Sequence, residues 1–446
     1  MEWMRAAVLL LSLSGGLVAG RAARAGEDWG YVSVRDGANL FWWLYPAAGN
    51  SSAPLVLWLQ GGPGGSSCGY GNFEEIGPLD VDLKPREFTW AGGVNLLFVD
   101  SPVGAGFSYT TDSGAFARNL STAARDTVFL LDALFRSKPL LQEVPFYIFA
   151  ESYGGKLAAA IGLELVKAAP RRVKCRLAGV ALGDSWISPL DSVLSWGPYL
   201  HSTSLLDDLG LAEVSAAAAK VQAAVEGGDY LTATRLWAET ESIVERCTDG
   251  VNFYNILNGR KAAVSEDDGV SDGVSASPGL VHGAPLVALF QRHVRPLQAD
   301  RLAALMNGPI RAKLKVIPDF VQWGAQSEQV FANMEGDFMK PVTGVVDRLL
   351  DAGVNVTVYN GQLDLIVDTL GQEAWVRGLT WRGLPGYLQQ RWRPLYTRSR
   401  PGTTAAFYKQ HQNLAFLWVL RAGHMVPADQ GEMALQMLRL VTDPQH

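Results

Sequence analysis

Ser152 carries the strongest chemical signal in the chain. It sits in Glu151-Ser152-Tyr153-Gly154-Gly155, directly after the apolar run Phe146–Phe149 and ahead of an Ala-rich helical stretch, Leu157–Lys167. A serine on such a sharp strand-to-helix turn is a nucleophile elbow. Its hydroxyl projects from a strained backbone, and the following helix turns its N-terminus toward a developing oxyanion. The usual pattern is Gly-x-Ser-x-Gly, and here Ala150 stands at the first glycine. A second oxyanion donor is expected from the Gly-rich loop Gln60–Ser67, which follows the apolar run Leu55–Leu59. A serine nucleophile needs a base, and the base needs an acid to orient it. In this arrangement the chain order is serine, acid, histidine. The histidines are His201, His282, His293, His411, His424 and His446. His424, in Ala422-Gly423-His424-Met425-Val426-Pro427, follows the apolar run Leu414–Leu420, at a strand end from which an imidazole can reach Ser152. His411 precedes that run and belongs to the opposite edge. The acid is Asp364, in Gly361-Gln362-Leu363-Asp364 after Val354–Tyr359, with Asp368 as the second candidate.

These residues require a sheet whose strand ends share one rim. The chain supplies it. Trp29–Tyr45 reads as a hairpin turning at Asp36-Gly37, and Leu55–Leu59, Asn95–Val99, Phe146–Phe149, Leu177–Leu182, Val354–Tyr359 and Leu414–Leu420 read as short buried strands. Helical periodicity at Ser121–Leu134 and Leu157–Lys167 alternates with them. That alternation predicts an α/β fold with a mostly parallel sheet covered on both faces. Residues 26–186 and 332–446 form the two parts of this core, and residues 187–331 read as a mainly helical insertion, or cap.

Residues 1–25 have the layout of a secretory signal: Arg5, an apolar run from Ala6, and Ala23-Arg24-Ala25 as the cleavage site. This predicts a secreted protein with no membrane anchor, because Gly15, Gly16 and Gly20 interrupt the apolar run and no later stretch reaches membrane-spanning length. Asn50, Asn119 and Asn355 open Asn-x-Ser/Thr sequences and are candidate glycosylation sites. Three cysteines, Cys68, Cys175 and Cys247, are too few for a disulfide scaffold, and one bridge plus one free thiol is expected. With 38 Lys+Arg against 44 Asp+Glu, the formal charge of −6 argues against nucleic acid as a partner. No metal-binding motif is present, and neither a metal nor a cofactor is expected.

Taken in order along the chain, the motifs resemble those of the serine carboxypeptidases. They are Trp29-Gly30-Tyr31, Leu57–Ser67, Glu75-Ile76-Gly77-Pro78, Asp100–Tyr109, Glu151–Gly155, Tyr359–Asp364 and Gly423–Pro427. The resemblance implies an α/β-hydrolase fold with a helical insertion. It also implies a secretory or lysosomal enzyme that removes single C-terminal amino acids from peptides or proteins, best at acid pH. Position by position it makes Ser152 the nucleophile, His424 the base and Asp364 its partner, with the oxyanion held by the N–H groups of Gly62 and Tyr153. Gln60, Gly61, Glu75 and Glu151 match the family's clamp on the substrate's terminal carboxylate, and Met425 its leaving-residue pocket. Such a clamp works only when the glutamates carry protons, so affinity is expected to fall as pH rises. Three positions depart from the family's habit. Gln60 replaces Asn, and its extra methylene is expected to displace the amide by about 1 Å and loosen the clamp. Gly65 replaces Cys, removing a bridge to the insertion, for which a Cys68–Cys247 pair is the expected substitute. Gln362 replaces Asp. Competing readings are an acyltransferase or esterase with the same triad, and a catalytically weak binding protein on a hydrolase scaffold.

Overall fold

The computed structural model describes residues 17–19, 26–47, 49–50, 52–168, 173–258, 300–324 and 327–443. Among these, twelve strands form one sheet: β1 Leu17–Ala19, β2 Asp28–Arg35, β3 Ala38–Tyr45, β4 Leu55–Leu59, β5 Asn95–Val99, β6 Tyr109–Thr110, β7 Pro145–Glu151, β8 Arg176–Gly183, β9 Asn355–Gly361, β10 Arg393–Tyr396, β11 Thr404–His411 and β12 Leu414–Val419. Their spatial order is β1-β2-β3-β5-β4-β7-β8-β9-β12-β11-β10, with β6 beside β3. β5, β4, β7, β8, β9 and β12 run parallel, and antiparallel strands flank them on both sides.

The parallel centre is apolar on both faces, so period-2 alternation sorts its side chains into two cores. Leu55, Leu57 and Leu59 enter one, and Val56 and Trp58 enter the other. Helices α1 Leu120–Ser137 and α2 Tyr153–Ala168 pack on the first face. Asn119 caps α1, its side-chain oxygen accepting the Thr122 N–H at 2.9 Å. Beyond β8 the chain leaves the sheet for α3 Pro189–Ser202, α4 Asp208–Glu226 and α5 Tyr230–Cys247, and no strand forms among the described residues between β8 and β9. These observations make the fold an α/β-hydrolase fold.

Several details differ from the sequence reading. α2 starts at Tyr153 rather than Leu157, immediately after the serine. β10 and β11 were not expected. β10 is short, exposed and carries Pro394, which only an edge strand tolerates. The expected disulfide is absent: Cys68, Cys175 and Cys247 are all free thiols. Cys68 is buried in one core, whereas Cys247, at the end of α5, is partly buried against the other, which keeps them apart. The secretory-signal segment lies outside the described residues except for Leu17–Ala19, which pair with β2. Asn50, Asn119 and Asn355 are all exposed.

Candidate active site

Ser152 follows directly on β7 with φ 59°, a left-handed conformation that costs a non-glycine residue energy and throws its side chain off the strand. The turn is braced on both sides. Ser152 N–H donates to the Gly183 carbonyl at 3.0 Å, and Trp186 N–H donates to the Ser152 carbonyl at 3.0 Å. Gly154 and Gly155 let α2 approach the sheet: a Cβ on Gly154 would lie 2.5 Å from the Leu59 carbonyl, and one on Gly155 would overlap the Ser185 side chain. Ala150 is fully buried in register between Leu59 and Leu182, so its methyl is absorbed by the core.

The Gly-rich loop after β4 passes directly over the serine. A Cβ on Gly61 would overlap that of Ser152 and lie 2.9 Å from its hydroxyl oxygen, so only glycine fits. Gly62, with φ 115°, carries the peptide past this point. Tyr153 opens α2, so its N–H has no acceptor within the helix and remains available to an anion. The Tyr153 side chain turns away, its hydroxyl donating to Asp337 at 3.1 Å.

Two loops bring the base and the acid together. His424 Nδ1 lies 2.8 Å from Asp364 Oδ2, and both residues are buried. Glycines allow the loops to touch: a Cβ on Gly361 would overlap the Gly423 carbonyl, and Leu363 N–H donates to the Ala422 carbonyl at 2.7 Å. Gln362 is part of this joint, its side-chain oxygen accepting the Arg421 N–H at 3.2 Å. Asp368, the second candidate, is used elsewhere. It caps the helix Thr369–Arg377 and accepts the Ser195 hydroxyl at 2.8 Å. His201 pairs with Asp208, and His411 lies at the far edge against Trp381. His282, His293 and His446 lie outside the described residues.

Glu75 comes from the π-helical stretch Ser67–Ile76 and Glu151 from the last position of β7. Gln60 joins them: its Nε2 donates to Glu75 Oε1 at 3.0 Å and to Glu151 Oε1 at 2.9 Å, while its Oε1 accepts the Trp58 indole N–H at 2.9 Å. The longer amide is therefore held on three partners instead of being loosened. Gly65 packs against this residue and its neighbour: a Cβ there would lie 2.9 Å from the Gly61 carbonyl and 3.0 Å from Gln60 Cγ, so the loop leaves little room for a side chain.

Burial dominates the electrostatics. It pushes Glu75 up to about 7 and Glu151 well above the usual carboxylate range, with Glu75 itself the next cause for Glu151. The pair holds a shared proton at mildly acid pH, and Oε2 of each glutamate is buried without a partner. Burial also lowers His424, opposed by the neighbouring carboxyl groups of Asp184 and Glu75. Met425 is half-buried at the head of the short helix Val426–Asp429.

Two neighbours escaped the sequence reading. Asp184 follows β8 at the same rim and lies beside Asp364 and His424. An acid two residues beyond the apolar run Leu177–Leu182 was a readable signal. Tyr254, from the segment between α5 and the second part of the sheet, accepts the His424 N–H on its carbonyl at 2.7 Å and sets its ring edge-on to the imidazole at 5.1 Å. No local pattern marks it, because the contact is purely tertiary.

Comparison with known proteins agrees with this geometry. A family profile described as serine carboxypeptidase matches residues 20–443. The chain is 58% identical over 447 residues to human retinoid-inducible serine carboxypeptidase, covering 99% of this chain and 97% of that one. It is 43% identical to serine carboxypeptidase-like 51 of Arabidopsis thaliana, with 93% and 92% covered. Among solved structures it resembles Kex1(delta)p, a prohormone-processing carboxypeptidase from Saccharomyces cerevisiae, with a TM-score of 0.76 and 21% identity over 94% of this chain and 91% of that one, a likeness of fold. On these matches the chain belongs to the serine carboxypeptidase family and is an enzyme of that kind.

Proposed function

We propose that the enzyme removes single amino acids from the C-termini of peptides or proteins through an acyl-enzyme on Ser152, in an acidic secretory or lysosomal compartment. The observation that carries this reading is the Glu75–Gln60–Glu151 cluster, a set of buried neutral donors beside the serine and the His424–Asp364 pair. Its unpartnered carboxyl oxygens suit a substrate carboxylate, which fixes the scissile bond one residue from the terminus. Ser152 Oγ attacks the last peptide carbonyl and gives its proton to His424 Nε2, the ring nitrogen that Asp364 does not hold. The N–H groups of Gly62 and Tyr153 stabilise the oxyanion. His424 then protonates the leaving amino acid beside Met425, and water reverses the steps through the same groups. An exposed Asn at each of Asn50, Asn119 and Asn355 supports glycosylation, and among the described residues no helix is long and apolar enough to cross a membrane.

The test is to incubate the enzyme with a mixed peptide library at mildly acid pH. Stepwise loss of C-terminal residues, with acetylated N-termini no obstacle and C-terminal amides spared, is the expected result. Internal cleavage, or equal hydrolysis of the amides, would refute it.

An acidic working range also follows from stability. Burial raises Glu75 to about 7, Asp100 to about 6 and Asp368 to about 7 in the folded protein, all above their unfolded values. Raised carboxyls bind protons more tightly folded than unfolded, so their contribution is complete below the unfolded pKa and is lost as pH rises through the folded one. His424, lowered by burial, acts oppositely, as does Lys156, lowered to about 7, as pH rises through that value, while Glu151, Asp184 and Asp364, all raised by burial, add to the carboxyl side. The unfolding temperature is therefore expected to be highest near pH 4.5–5 and to fall by roughly 5–10 °C by about pH 7.5. A calorimetric scan showing the reverse slope contradicts it.

A further inference from the structure

We propose that Asp184 is a positioning residue for the catalytic acid: a protonated carboxyl that donates its hydrogen to Asp364 and keeps Asp364 turned toward His424. This rests on the Ser152–Asp364–His424 reading above and deepens it.

The turn 183–186, immediately beyond β8, is tied to every part of the machinery. Its Gly183 carbonyl and Trp186 N–H clamp the backbone of Ser152 at 3.0 Å each. Asp184 N–H donates to the Tyr359 carbonyl at 2.8 Å, and Asp184 Oδ1 accepts the Gly361 N–H at 2.7 Å, fixing the turn to the loop that carries Asp364. Asp184 is held at φ 41°, a conformation that persists only where the surroundings impose it. One oxygen each of Asp184 and Asp364 and one ring nitrogen of His424 lie within 4.8 Å of one another. Asp184 is fully buried, and its Oδ2 receives no N–H or O–H.

Two buried carboxylates so close cannot both stay ionised beside a neutral imidazole. One must keep a proton, and that proton then bridges them. The hydrogen bonds decide which one. Asp364 accepts the Val367 N–H at 3.2 Å and faces His424 Nδ1 at 2.8 Å, and the Ile366 N–H also favours its charge. Asp184 has the Gly361 N–H alone. The negative charge belongs on Asp364 and the proton on Asp184. The other titratable groups facing Asp184 are Glu151 at the end of β7 and Tyr359 of β9, with Asp368 behind Asp364. His424 is the one base among these groups, so a second negative charge on Asp184 would rest on the Gly361 N–H and a neutral imidazole. The proton on Asp184 is not consumed in the reaction. When His424 takes the proton of Ser152, the three-group cluster passes from one negative charge to neutral, which favours the transfer in a buried site.

The test compares Asp184→Asn and Asp184→Ala in steady-state hydrolysis of a blocked dipeptide across pH, with thermal unfolding, fluorophosphonate labelling of Ser152 and the downfield proton resonance of His424 Nδ1–H as companion readouts. Asn keeps an acceptor for Gly361 and a donor toward Asp364. Ala keeps neither. Asp184→Ala is expected to lower kcat about 100-fold with little change in KM and to weaken the downfield resonance, whereas Asp184→Asn recovers kcat to within about tenfold of wild type. Wild-type kcat declines on the alkaline side as Asp184 ionises and repels Asp364, and the Asn variant lacks that decline. A folded Ala variant with wild-type kcat, or an Asn variant as impaired as Ala, would overturn the proposal. If the Ala variant does not fold, an Asn variant with the wild-type alkaline decline overturns it. Unchanged turnover by Ser152→Ala would instead sink the triad reading on which it stands.

Discussion

Ser152→Ala and His424→Ala are each expected to lower kcat by about a millionfold, and the double variant is expected to lose no more than either alone. The argument is one of shared function. The hydroxyl is a poor nucleophile at its own pKa and depends on the imidazole to remove its proton, so deleting either partner removes the same step. The positive φ of Ser152 and the close passage of Gly61 hold the hydroxyl in place whether or not His424 is present, and His424 keeps its bond to Asp364 whether or not the hydroxyl is present. Folding should therefore survive both changes, and residual turnover reports the oxyanion donors and the clamp alone. Pre-steady-state release of the amino acid product with each variant checks this. Losses that multiply in the double variant would mean that the two residues act in separate steps.

The second large effect concerns pH and binding. Glu75 is raised to about 7 by burial, and Glu151 is raised well above the usual carboxylate range by burial and by Glu75. Below that range the pair is neutral or shares a proton and can donate to a substrate carboxylate. Above it the pair repels the carboxylate. KM is expected to rise about tenfold per pH unit above pH 7, while a substrate with a C-terminal amide, poor at every pH, shows no such rise. Glu151→Gln places a neutral donor at that position at all pH values and should flatten the rise, leaving the part due to Glu75. Initial rates against substrate concentration from about pH 5 to 8 give the answer. A Glu151→Gln enzyme whose KM follows the wild-type pH curve would contradict the shared-proton clamp. This effect falls on KM, whereas that assigned to Asp184 falls on kcat, so the two can be separated in one data set.

Much of this was legible before any coordinates. β4 and β5 matched their apolar runs end for end because both faces are buried and the flanking Pro and Gly residues stop them abruptly. Ser152, Asp364 and His424 stand out in the sequence by their place after strands, a rule that follows from the parallel sheet itself, and the structure sets Asp364 against His424. The same rule, applied once more, would have reached Asp184. What stayed hidden depends on contacts distant in sequence. The edge strand β10 is four residues long and mostly exposed, and β11 beside it mixes buried and exposed positions without strict alternation, so neither reads as an apolar run. The free state of the cysteines depends on where the helices that carry Cys68 and Cys247 pack, which is set by tertiary contacts. The seating of Gln60 could not be read from side-chain length, since the length matters only against what stands opposite.

That last point bears on descent. Position 65 is coupled to two parts of the site at once. A Cβ there would lie 2.9 Å from the Gly61 carbonyl and 3.0 Å from Gln60 Cγ, so a side chain gained at 65 presses both on the loop that passes over Ser152 and on the amide that bridges the two glutamates. Any lineage that regains a side chain at 65 must therefore shift that loop or reseat Gln60 at the same time.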